Sequence, residues 1–89
     1  MGRSIHELNS IVDEIFRTIG EIRHLFLNWN ASCSMIFIEK VMHLSVLREQ
    51  LYKLGYDDDF TETVIKIVYH HVFTKAERLQ YAERWYINV

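Results

Sequence analysis

The apolar residues Ile5, Leu8, Val12, Ile15, Ile19, Ile22 and Phe26 recur at alternating intervals of three and four. That spacing lines one face of an α-helix and is held for about three heptads. Ser4 and Glu7 precede it as an S-x-x-E capping box, in which hydroxyl and carboxylate satisfy amide donors left over in the first turn. The pattern predicts a first helix over 4–27. Ile11, Phe16 and Leu25 make its stripe wider than a two-stranded seam needs. An apolar face of that width is either enclosed by a bundle or shared with a second copy. The expectation taken is a homodimer interface of Ile11, Ile15, Phe16, Ile19 and Ile22. Arg17 stands four residues from both Asp13 and Glu21, so exposed ion pairs are expected there. Gly20 costs about 1 kcal/mol against alanine inside a helix. It marks either a close backbone approach or a tolerated surface defect.

Residues 28–32 read as a connection, with Trp29 placed to plug the bundle end and Ser32 or Ser34 as the next cap. Phe37, Val41, Leu44, Leu47, Leu51 and Leu54, with Ile38 alongside, predict a second long helix antiparallel to the first. Gly55 suits the left-handed residue that closes it. After Tyr56 and three aspartates, residues 63–69 are rich in β-branched side chains and resemble a strand. Its only strand-like partner would be 35–38, whereas Phe60, Val64, Ile67, Val68 and Val72 share a helical face, so a helix over 60–73 is predicted. Thr74 and Glu77 form a second capping box, opening a short helix to about Tyr86 with Leu79, Ala82 and Tyr86 inward. With no proline and three glycines to interrupt it, the chain reads as all-α. The predicted architecture is a small three- to four-helix bundle, two long antiparallel helices followed by two shorter ones, in a single domain over 1–89.

Composition adds exclusions more than identity. A chain of 89 residues, 49% hydrophobic and 25% charged, has ordinary globular usage and room for one modest core. The formal net charge of -2 gives no basic footprint for nucleic acid or an anionic membrane. No secretory leader or membrane-length apolar run is seen. The single cysteine, Cys33, excludes an internal disulfide and points to a reducing, cytoplasmic setting.

Candidate chemistry is sparse. His70 and His71 are adjacent, so on a regular helix they point about 100° apart and cannot share an ion. His6, His24 and His43 supply no H-x-x-x-H spacing, and Asp57, Asp58, Asp59 and Glu62 lack the alternation of a calcium loop. No phosphate loop or nucleophile elbow occurs, and nothing ties Cys33 to a base. No catalytic residue, metal or cofactor is therefore expected, and the chain is not read as an enzyme. Arg78, Tyr81 and Trp85 would align on one face of the last helix, and these residue types dominate binding hot spots. They form the expected partner-binding surface, although the spacing leaves open whether Trp85 or Tyr86 faces the core. The functional expectation is a small protein–protein interaction or regulatory protein, of inhibitor, anti-activator or adaptor type, acting as a homodimer. The alternative is a small helical DNA-binding regulator using Lys75, Arg78 and Arg84, against which Glu77 and Glu83 interleave with the bases.

Overall fold

The computed structural model describes residues 5–80, and over these the chain is helical and free of strands. Helix α1 spans Ile5–Leu27, α2 Cys33–Lys53 and α3 Asp58–Val72. A fourth helical stretch, α4, begins at 75 and continues to 80, where the described residues end. The expected box residue Ser4, and the tail from Tyr81 onward, lie outside them.

Cross-helix pairs set the directions. Glu21 meets Lys40 at 3.1 Å and Glu14 meets His43 at 3.2 Å, so α2 runs antiparallel to α1. Arg48 pairs with Glu62, turning α3 back alongside α1. The centre of the bundle is α1, whose Ile15, Ile19 and Ile22 are fully buried. Around them pack Phe37, Leu44, Leu47 and Leu51 from α2 with Ile65, Val68 and Tyr69 from α3. Burying this apolar surface is the main stabilising term available to so small a chain. Among the described residues Thr18 and Thr61 are the buried polar ones, and each hydroxyl donates to a carbonyl one turn back (Glu14 and Asp57, 2.8 and 2.9 Å). Their burial therefore leaves no orphaned group.

The turns follow local chemistry. Gly55 has φ of 100°, and its N–H donates to Tyr52 O at 2.9 Å while Tyr56 N–H reaches Leu51 O at 3.2 Å. This paired closure is a Schellman motif, which needs a residue tolerant of positive φ at the glycine position. The Asp57 carboxylate accepts from Phe60 N–H at 2.8 Å and caps α3, with Asp58 and Asp59 in the first turn beside the positive end of the dipole. The start of α2 departs from expectation. Ser32 makes no side-chain cap, because Asn30 Oδ1 takes both its N–H and its hydroxyl at 2.9 and 2.6 Å.

Other expectations shift by small rotations. Ile5 is exposed, while Ile11 turns inward. Arg17 pairs with Glu14 at 3.1 Å, so neither predicted i,i+4 partner holds it. On α3, Thr61, Ile65, Val68 and Tyr69 face the core, whereas Ile67 is exposed and Phe60 stacks on Tyr56 with centroids 4.4 Å apart. A β-carbon added at Gly20 would meet nothing within 4 Å, which decides for the surface defect. Gly20→Ala is expected to stabilise the chain by about 0.5–1 kcal/mol, raising the thermal midpoint by a few degrees. An unchanged or lowered midpoint would mean that the site is not open helix surface.

Candidate functional site

The dimer face expected on α1 is spent internally. Ile11, Ile15, Ile19 and Ile22 belong to the core of the single chain, and of the five predicted residues only Phe16 reaches the surface. Its ring meets His71 edge-on at 5.5 Å. Two helices flank α1, so its wide stripe is covered without a second copy.

The surface expected on the last helix is altered as well. Arg78 turns back toward α3 and donates to the carbonyls of His70 and Phe73 at 3.1 and 2.7 Å. Those carbonyls are the open end of a helix, so the guanidinium caps it and favours its negative pole. Arg78 thereby has a structural role within the chain. Leu79 is 73% exposed and does not face the core, since Glu77 and Arg78 hold the opposite side of α4 against the bundle. Tyr81, Ala82, Arg84, Trp85 and Tyr86 lie outside the described residues.

The Thr74–Glu77 capping box is reciprocal, with Thr74 N–H on Glu77 Oε1 at 3.0 Å and Glu77 N–H on Thr74 Oγ1 at 3.1 Å. Arg23 adds a two-pronged contact to the same carboxylate at 3.0 and 2.8 Å, joining α4 to α1. The Arg23 hydrogen bonds and the Thr74 amide hold the Glu77 pKa down to about 2, from an ordinary 4.5. A depressed carboxylate contributes stability that is complete above its unfolded value and lost as pH falls through the folded one. The thermal midpoint is therefore expected to fall between pH 4.5 and 2 more steeply in the wild type than in Glu77→Gln. Equal slopes in the two proteins would show that the clamp does not hold the folded state.

Trp29 does plug the bundle end, packing on Phe26 and Phe37 with centroids 5.9 and 6.0 Å away. Cys33 is buried, its thiol donating toward Asn28 O at 3.7 Å while Asn30 N–H approaches the sulfur at 3.4 Å. Among the described residues no group of three or more His, Cys, Asp or Glu could hold a metal ion, and no helix is long and apolar enough to cross a membrane. A cleft of about 470 Å³ opens between the start of α1 and the end of α2. Its walls mix His6, Glu7 and Lys53 over Ile11 and Leu54, with no single charge sign to select a ligand.

The feature that sequence reading missed is on α2. Met35, Ile38, Met42 and Val46 are 50–68% exposed. At 100° per residue they form one stripe about 17 Å long, directly opposite the core-facing Phe37, Leu44, Leu47 and Leu51. Isolated exposed apolar residues are ordinary, but a continuous stripe on one helix is the kind of patch that marks an interaction surface. Glu39, Ser45 and Glu49 border it, all exposed.

In comparisons with known proteins, no family model, curated protein or solved structure matches this chain.

Proposed function

We propose that this chain acts by binding protein, as a small stoichiometric regulator of inhibitor or adaptor type, through the outer face of α2. The observation that carries this reading is the Met35–Ile38–Met42–Val46 stripe, held rigidly on a helix whose other side is the core. Methionine is unbranched and polarisable, so it adapts to the surface it meets and recurs on binding faces. The polar rim of Glu39, Ser45 and Glu49 matches the usual anatomy of an interface, apolar at the centre and hydrated at the edge. Helices position such a patch more firmly than loops, which lowers the ordering cost of association. The reading places the chain in a reducing compartment, consistent with Cys33 held as a buried thiol.

Photo-reactive methionine tests this directly, because the chain has only Met1, Met35 and Met42. Illumination in the native host is expected to give protein adducts at Met35 and Met42 that vanish in Ile38→Glu. Adducts confined to Met1, or none, would overturn the assignment of this face.

A further inference from the structure

Building on that assignment, we infer that the occupant of the α2 outer face is a second copy of this chain, docked antiparallel about Met42. The pattern is self-complementary. Ile38 and Val46 stand four residues to either side of Met42, and Glu39 and Ser45 three to either side. A two-fold axis through Met42 therefore sets Met42 beside Met42, and Ile38 beside Val46 of the other copy, as an isologous contact requires. The same rotation brings Met35 level with Glu49 of the other copy, seven residues out from the axis in each direction.

That last juxtaposition supplies the charge complementarity. Helix α2 begins without an acidic residue in its first turn, unlike α3 with Asp58 and Asp59, and its start is served by the neutral Asn30, whose Oδ1 accepts from Ser32 N–H and whose carbonyl accepts from Cys33 N–H. Its positive pole therefore has no compensating acidic charge of its own, next to Met35. Glu49 is exposed in the second-to-last turn of α2, toward the negative pole of its own helix. Antiparallel docking moves each Glu49 from that unfavourable end to the acid-free start of the other α2. Lys53, one turn further on, lines the cleft with His6 and Glu7. Parallel docking would align the two dipoles and set Glu39 against Glu39 and Glu49 against Glu49. A four-residue stripe is small for an interface, so the dimer belongs to the weak, reversible class.

Sedimentation equilibrium on the full chain from about 1 to 500 μM reads the outcome, a range chosen for weak complexes. The wild type is expected to pass from monomer to dimer, and the Ile38→Glu, Met42→Glu double variant to stay monomeric with unchanged circular dichroism. Glu49→Gln is expected to weaken the dimer about 3- to 30-fold at low salt, as removing two dipole contacts implies. A wild type that stays monomeric throughout, a dimer indifferent to the double variant, or a Glu49→Gln dimer of undiminished affinity would each overturn the inference. A monomeric wild type whose Met35 and Met42 still crosslink to another protein would sink only the second-copy occupant and leave the binding face standing.

Discussion

Phe73→Ala is expected to destabilise the protein by about 3–5 kcal/mol, the usual cost of deleting a fully buried aromatic side chain. Phe73 is 1% exposed and packs against Tyr69 and Phe26 at centroid distances of 4.9 and 6.0 Å. It sits where α3 ends in an extended residue and the chain turns toward α4, and its ring ties α3 to α1. A domain of this length has roughly 4–13 kcal/mol of stability in total, so the loss removes a large share of it. Leu79→Ala, six residues on and exposed, should change stability by less than about 0.5 kcal/mol. Urea unfolding followed by circular dichroism separates the two. Comparable losses for both would mean that α4 packs through Leu79 and that the described orientation of this segment is wrong.

The second large effect contrasts the two faces of α2. Leu47 is 2% exposed in the core, whereas Met42 stands on the outer stripe at 62%. Leu47→Glu buries a carboxylate with no partner in an apolar core, a penalty of several kcal/mol, and should leave the chain largely unfolded at 25 °C. Met42→Glu exchanges one good helix former for another on the surface and should keep both the helical signal and the thermal midpoint within a few degrees. Unfolding of the Met42 variant to the same extent would show that the outer stripe is part of the core.

The bundle was legible because the inward residues of α1 and α2 follow helical spacing, and because the Gly55 closure and the Thr74–Glu77 box rest on local geometry alone. The capped start of α3 rests on its aspartates in the same way. The phase of α3 was harder to read. Ile67 and Ile65 are equally apolar, and only the side from which α1 approaches decides that Ile65 is buried. The same ambiguity hid the candidate site. On α2 the series Met35, Ile38, Met42, Val46 is as regular as Phe37, Val41, Leu44, Leu51, so spacing alone offers two faces and cannot rank them. A helix apolar on both sides was itself the available signal, since an ordinary surface helix has one polar face. The role of Arg78 was invisible in sequence for a different reason. The carbonyls it caps, His70 and Phe73, come within reach only after the chain has turned at Phe73. The width of the α1 stripe was read correctly as more than one neighbour could cover, but the second neighbour is α3 and not another copy.

Methyl NMR on a chain labelled at methionine and isoleucine methyl groups reports on both faces at once. As concentration rises from about 10 μM to 1 mM, a span suited to a weak interface, the Met35, Met42 and Ile38 signals should shift together and saturate. Those of Ile15, Ile19 and Ile22 should stay in place. Shifts confined to the α1 isoleucines, with Met35 and Met42 unmoved, would contradict the assignment of the outer face of α2 as the surface on which this protein associates.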